Sequence, residues 1–141
     1  MPITWALADP KLDERDVLAA MLEVEPELAA SRPGLLLITD KGFRAHWFET
    51  TLPGRDIELL RPSMRNEPPQ PGEHLLKPVR QLTESVNDTL KGQLDLEAHG
   101  GRTFEGAAVR VAQRILAMTT AIWHNHRTGQ PVPRSLTAYD H

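Results

Sequence analysis

The chain has 141 residues, of which 40% are hydrophobic and 25% charged, so it is long enough for one domain with a substantial core. Its formal net charge of −3 provides no overall basic field for nucleic acid, and the absence of cysteine excludes disulfides, thiolate metal sites and cysteine nucleophiles. The sequence has no apolar run of membrane-spanning length and does not open with a basic region followed by an apolar one. We therefore expect a cytoplasmic protein with no membrane partner.

The first thirty residues predict a strand followed by an acidic helix. Residues 3–7 alternate large and small side chains, which is typical of a half-buried strand. Asp13 has the position and chemistry of a helix N-cap, and the acids Glu14 and Asp16 follow it in the first turn, where the helix dipole favours negative charge. Pro26 is expected to kink or end this helix.

A continuous apolar run at residues 35–39 predicts a strand covered on both faces, as in a central parallel sheet. Asp40 then lies at the carboxyl end of that strand, which is where open α/β sheets bind their ligands. Gly42 lets the chain turn immediately afterwards.

The next segments predict a short helix, a weaker strand and a long loop. Residues 43–50 favour the helix, and residues 56–60 favour the strand. Residues 61–75 contain four Pro and one Gly with mixed charge, so we expect a loop. Loops of this length in a compact domain are often functional or mobile.

Residues 77–97 predict a helix with two distinct faces. Pro78 suits the first helical turn, and Gly92 suits its end. Apolar residues at helical spacing predict a buried stripe: Val79, Leu82, Val86 and Leu90. Two cations and two carboxylates fall within an arc of roughly 80° on another face: Arg80, Glu84, Asp88 and Lys91. Such i,i+4 neighbours are also typical of an ordinary solvated surface.

The last third is basic, with five Arg and one acid between residues 102 and 134. Thr103 is expected to cap a long helix whose packing surface is formed by Phe104, Ala107, Ala108, Val111, Ile115, Leu116, Met118, Ala121 and Ile122. Arg110 and Arg114 lie one turn apart, so they form either a DNA-phosphate face or a solvated helix face. His124, His126 and Arg127 fit either a metal or phosphate cluster or a frayed helix end.

Two of these motifs, in this order, resemble the C-terminal half of an insertion-sequence DDE transposase, from the bacterial group whose catalytic domain has a ribonuclease-H-like fold. That family places its second carboxylate as an Asp after an apolar strand, in an Asp-Lys-Gly-Tyr/Phe context, and residues 40–43 match. Its third carboxylate is a helical Glu with an Arg before it and a Lys after it. Arg80, Glu84 and Lys91 match this pattern, with three and six residues between them.

The resemblance implies metal-dependent DNA chemistry with Asp40 and Glu84 as catalytic, metal-binding carboxylates. In such enzymes two Mg²⁺ (or Mn²⁺) ions about 3.5–4 Å apart activate the attacking oxygen and stabilise the leaving oxygen. The family's first Asp bridges both ions, while the second and third carboxylates bind one ion each. Residues expected to support Glu84 or to contact DNA phosphate are Arg80, Lys91, Lys41, Arg110 and Arg114.

The sequence departs from the family at two points. Lys77 stands where the signature often has Tyr, and the family's first catalytic Asp lies upstream of a strand like residues 3–7. Asp9, Asp13 and Asp16 fit turn and helix-cap positions instead. We therefore expect a partial ribonuclease-H-like α/β fold without its first strands, with a short mixed sheet, flanking helices and a long C-terminal helix. Residues 1–125 would form the partial catalytic domain, and residues 126–141 an extended tail.

The leading hypothesis is a C-terminal fragment of a DDE transposase, with an ancestral role in DNA cleavage and strand transfer and no activity by itself. Its expected partners are the DNA of transposon ends and either a second copy or the upstream half of the enzyme. An alternative is a non-catalytic regulator that binds transposon ends or the full-length transposase. A third is an unrelated small α/β binding domain in which the motif pair is accidental.

Overall fold

The computed structural model describes residues 2–98 and 100–131, and it has a mixed α/β architecture. The chain forms two compact units, of which one comprises Trp5–Lys77 and the other the described residues of 1–4 and 78–131. The main elements, in chain order, are α1 (Glu14–Val24), α2 (Glu27–Ala30), β1 (Leu35–Ile38), α3 (His46–Thr51), β2 (Ile57–Leu60), α4 (Leu76–Asp88) and α5 (Phe104–Thr128).

In the described part of the chain, the sheet consists of β1 and β2, which pair in parallel with Leu35 opposite Ile57 and Ile38 opposite Leu60. The expectation of a short mixed sheet is therefore corrected to a parallel pair. The strand predicted at residues 3–7 is wrong, because this stretch has no regular secondary structure. Alternating side chains make a strand only where a neighbouring strand satisfies the backbone N–H and C=O groups, and no described strand does so here.

The core of the Trp5–Lys77 unit lies against one face of this sheet. Phe48 and Leu52 are its most enclosed side chains, and the cluster also contains Leu22, Ala29 and Ile57. Leu35 and Leu37 of β1 pack against this cluster. The alternate side chains of β1 point to the opposite face, so Leu36 is 47% exposed and Ile38 39%. The prediction that this strand is covered on both faces is therefore wrong.

The acidic helix begins where the sequence predicts. The Asp13 side chain accepts a hydrogen bond from the Arg15 backbone N–H at 2.9 Å, and it also pairs with the Arg15 guanidinium. The hydrogen bonds from Arg15 lower the pKa of Asp13 to about 2. The helix ends at Val24, and Pro26 is the N-cap of α2, so the predicted break is also confirmed.

The long loop between β2 and α4 is organised by buried and partly buried charges. Arg61 is 3% exposed, and its guanidinium donates to Glu49 of α3 at 3.0 Å and to Glu67 of the loop at 2.8 Å. Arg44 donates to the same Glu67 carboxylate at 2.8 Å. Glu73 accepts hydrogen bonds from the Ser63 hydroxyl and from the backbone N–H groups of residues 63 and 70. Four prolines and two satisfied carboxylates therefore give this loop a defined conformation.

In the other unit, α4 includes Pro78 in its first turn and continues into a π-helical turn at Thr89–Gln93. The predicted stop at Gly92 is close to the observed end. The predicted buried stripe is wrong, because none of the α4 residues is buried and Leu82 is 48% exposed. Helical spacing identified the apolar side of α4, whereas burial depends on what packs over it.

The last helix, α5, starts at the predicted cap, where the Thr103 hydroxyl accepts a hydrogen bond from the Gly106 N–H at 3.1 Å. It ends at Gly129, whose φ of 71° suits glycine. The helix thus continues three residues into the predicted tail, and residues 132–141 of that tail lie outside the described residues. Phe104 and Leu116, predicted to pack, are 68% and 66% exposed.

Substitution of Glu67 by Gln is expected to remove part of the acid sensitivity of the fold. The hydrogen bond from Arg61 is the main cause that lowers the pKa of Glu67 from 4.5 to about 2. A carboxylate with a lowered folded-state pKa contributes stability above its unfolded-state pKa, so this contribution is lost as the pH falls from about 4.5 towards 2. Urea unfolding between about pH 7 and pH 3 should therefore show a smaller loss of stability in Glu67→Gln than in the wild type.

The matched control is Glu58→Gln, which removes an exposed carboxylate from β2 without touching Arg61. Identical pH profiles for the two variants would show that the Arg61–Glu67 pair does not contribute to acid sensitivity.

Candidate functional site

Asp40 lies two residues beyond the end of β1, at the carboxyl edge of the parallel pair, as the sequence predicts. Its Oδ1 atom accepts a hydrogen bond from the Gly42 N–H at 2.7 Å and so caps a 3₁₀ turn at Lys41–Phe43. The residue is exposed, and among the described residues no hydrogen bond or ion pair engages its Oδ2 atom. One carboxylate oxygen of this exposed side chain is therefore held by the turn.

Gly42 is required by this orientation of Asp40. A Cβ atom at position 42 would lie 2.9 Å from Oδ1 of Asp40, closer than such atoms approach. Because the obstructing atom is the end of a side chain, a larger residue would displace the carboxylate rather than the backbone. The Asp-Lys-Gly sequence thus has a local geometric reason in this chain.

Arg61 lies at the same edge of the sheet, because it directly follows β2 and the two strands are parallel. Its guanidinium is committed to Glu49 and Glu67, which raise its pKa. Sequence reasoning missed this cluster. An Arg immediately after a strand was the available signal, but its pairing with Glu49, twelve residues earlier, required the tertiary structure.

Glu84 lies on the exposed side of α4 and forms an i,i+4 ion pair with Arg80, with 2.9 Å between Nε and Oε1. The Arg80 side chain is 81% exposed and the Glu84 side chain 58%. Lys91 instead pairs with Glu97 at 2.8 Å, and this hydrogen bond is the main cause that raises its pKa. The predicted polar face therefore contains one internal ion pair, in which Arg80 orients Glu84, while Lys91 pairs with a residue outside that face.

Arg114 is held within its own unit. Its guanidinium donates to the backbone carbonyls of Leu94 at 2.7 Å and Asp95 at 3.1 Å, just beyond the π turn, and to the Arg110 carbonyl at 3.0 Å. Asp95 has a φ of 48°, so the arginine holds an unusual bend of the backbone. Arg110 itself is exposed on α5. Of the two arginines considered for a DNA-phosphate face or a solvated helix face, Arg114 has a structural role and Arg110 is the exposed one.

His124, His126 and Arg127 all lie near the C-terminal end of α5. His126 and Arg127 lie in the last turn of α5, where positive charge complements the helix dipole. The Arg127 guanidinium lies over the Trp123 ring at 5.9 Å. In residues 2–98 and 100–131, no group of three or more His, Cys, Asp or Glu side chains has the spacing to hold a metal ion. The segment is helical to Thr128, so the expectation of a frayed end is corrected.

The early acids occupy the turn and cap positions that the sequence predicts for them. Asp9 accepts a hydrogen bond from the Lys11 N–H at 2.9 Å, and Asp13 caps α1.

Of the two proposed catalytic carboxylates, Asp40 belongs to the Trp5–Lys77 unit and Glu84 to the other. Lys41 is exposed beside Asp40.

Comparison of the sequence with protein-family models, with curated proteins and with solved structures yields no match. Over the described residues, none of the helices combines the length and apolar character that crossing a membrane requires.

Replacing Arg114 by Gln is expected to lower the free energy of unfolding by about 1.5–3 kcal/mol, because charge-assisted hydrogen bonds to backbone carbonyls are lost. The matched control is Arg110→Gln, one turn away, which should change stability by less than about 0.5 kcal/mol. Urea titration followed by circular dichroism measures both variants. Equal stability of the two would contradict the structural role of Arg114.

Proposed function

We propose that the chain belongs to the catalytic domain of a DDE transposase with a ribonuclease-H-like fold, and that Asp40 and Glu84 are two of its metal-binding carboxylates. The observation that carries the proposal is the ordered pair of motifs. An Asp-Lys-Gly-Phe turn follows an apolar parallel strand, and an Arg, Glu and Lys with the family's spacing follow on the next long helix segment.

The geometry of each motif supports this role. Asp40 is exposed at the edge of the sheet where α/β proteins bind ligands, and a short turn holds one of its oxygens. Glu84 is exposed and oriented by Arg80. Two carboxylates suit a hard, oxygen-preferring Mg²⁺ or Mn²⁺ that retains several waters. When bound, such ions supply Lewis-acid activation of the DNA phosphate chemistry, while this chain's carboxylates hold them in place.

The competing explanation for both residues is purely local. Asp40 would be only the cap of a 3₁₀ turn, and Arg80–Glu84 only a surface pair worth about 0.3–0.5 kcal/mol. Both explanations predict the same hydrogen bonds. They differ in whether removing the charge, with the hydrogen bonds retained, changes the binding of a divalent cation.

Mn²⁺ binding to the whole chain, followed by electron paramagnetic resonance, is the direct test. Asp40→Asn keeps an acceptor for the Gly42 N–H but removes the charge. Glu84→Gln keeps an acceptor for the Arg80 guanidinium and likewise removes the charge. Each is expected to weaken Mn²⁺ binding by about tenfold or more, because a lost charged ligand costs at least about 1.4 kcal/mol. Gly42→Ala should also weaken binding while leaving the fold intact, since it displaces the Asp40 carboxylate.

Two matched controls remove carboxylates near the proposed ligands. Asp88→Asn lies one turn after Glu84, and Glu58→Gln lies on β2. If the controls weaken Mn²⁺ binding as much as the test variants do, the binding is diffuse charge attraction and the proposed metal site is wrong.

The source of the family's first Asp can be tested directly. If the DNA immediately upstream of the Met1 codon encodes, in any of its three frames, an apolar strand ending in Asp followed by a second strand, that segment would supply this residue. Co-expression of that segment with this chain, in the presence of transposon-end DNA and Mg²⁺, should then give DNA cleavage that Asp40→Asn abolishes. Retention of transposon-end DNA in the absence of divalent metal, with no cleavage by either chain or both, would favour a non-catalytic regulator.

A further inference from the structure

The side of α5 that faces away from its buried residues forms a continuous exposed row. At about 100° per residue, seven residues fall within an arc of about 80° centred on Leu116. They are Glu105, Val109, Ala112, Leu116, Thr120, Trp123 and Arg127. We call this row the α5 seam. All its members are exposed except Ala112, which is half-buried.

The α5 seam is not the packing side of the helix. Met118, Ala121 and Asn125 are the buried residues of α5, and they lie on the opposite side of the helix from Leu116. Arg114, which holds the carbonyls beyond the π turn, also lies on that opposite side. Yet the three large apolar side chains of the seam are 56% (Val109), 66% (Leu116) and 57% (Trp123) exposed. A row of large apolar side chains repeating every seven residues is typical of a helix that packs against another helix.

The order of residues along the α5 seam is symmetric about Leu116. Leu116 is the midpoint of the 25-residue helix Phe104–Thr128. Val109 and Trp123 lie seven residues before and after it, and Glu105 and Arg127 lie eleven residues before and after it. The small residues Ala112 and Thr120 lie four residues before and after Leu116. The row therefore runs acid, apolar, small, apolar, small, apolar, base, and its two ends carry opposite charges.

We infer that the α5 seam is the contact surface for a second copy of this chain, with the two helices antiparallel about a two-fold axis at Leu116. In that arrangement Leu116 meets Leu116, Val109 meets Trp123, and Glu105 meets Arg127 at both ends. No like charges face each other within the row. A parallel pair would instead place Glu105 against Glu105 and Arg127 against Arg127, so the charges select the antiparallel orientation.

The symmetry makes Leu116 the most sensitive position, because one substitution changes both sides of the contact. Sedimentation of the whole chain over a range of concentrations should show a dimer. Leu116→Glu should raise its dissociation constant by about tenfold or more, since it replaces two apolar surfaces with two facing carboxylates. Phe104→Glu is the matched control, because Phe104 is equally exposed on the same helix but lies about 120° away from the seam.

Charge exchange provides a second readout that does not depend on packing. Glu105→Arg should weaken the dimer by about twofold to fivefold, and the combination with Arg127→Glu should restore it. Both residues are exposed, so each change costs the helix only the favourable interaction of a terminal charge with its dipole, about 0.3–1 kcal/mol.

Cysteine cross-linking tests the orientation, because the natural chain has no cysteine. Oxidised Leu116→Cys should form a covalent dimer, whereas Phe104→Cys should not. Val109→Cys should cross-link to Trp123→Cys when the two are mixed, but each should fail alone, because like positions would be about 21 Å apart. A monomer at all concentrations, or efficient cross-linking of Val109→Cys to itself, would overturn the inference. Either result would leave the proposed metal site untouched.

Discussion

The conformation of the sheet edge that carries Asp40 depends on one buried cation, Arg61. A guanidinium that is 3% exposed is tolerated only when it is paired, and here Glu49 and Glu67 provide its partners. These two carboxylates come from α3 and from the loop after β2, so the single guanidinium connects the end of the strand, the helix and the loop. The charge of Arg61 is paired with these two carboxylates, and Asp40 lies exposed just beyond the end of β1.

The two proposed carboxylates differ in how firmly they are held. Asp40 is oriented by a turn that follows directly from its own sequence, with Gly42 leaving room for the carboxylate. Glu84 depends on a solvent-exposed partner, Arg80, and such surface pairs hold a side chain only weakly. Asp40 is therefore preorganised by its own turn, whereas the position of Glu84 is held less firmly.

The long helix α5 combines two separate roles on opposite sides. Its buried side includes Met118 and Ala121, and Arg114 secures the backbone around Asp95. Its other side exposes apolar residues in a symmetric order that fits a second copy of the same helix. Exposed apolar rows of this kind are unfavourable in water, and association is the usual way in which they are covered.

Local sequence signals predicted the starts of α1 and α5 well, because N-caps act over only a few residues. Asp13 and Thr103 each act on backbone groups within three positions of themselves, so the residues around the helix start were sufficient. The predicted position of Asp40 at the end of an apolar strand was also confirmed, since it needed only the strand and the turn. The ribonuclease-H-like fold and the metal role of Asp40 and Glu84 stay predictions.

The sequence by itself determined the N-caps of α1 and α5 and the position of the Asp40 turn, because these depend on neighbouring residues. Tertiary structure decided which apolar residues are covered. Leu36, Leu82 and Leu116 lie in apolar patterns that predict burial, yet all three are exposed. The spacing of apolar residues identifies one face of an element, and only another element can cover that face. Tertiary structure also decided which charged side chains form ion pairs and hydrogen bonds. Arg61 finds Glu49 and Arg114 finds the Leu94 carbonyl only when distant segments meet, and no local pattern encodes that meeting.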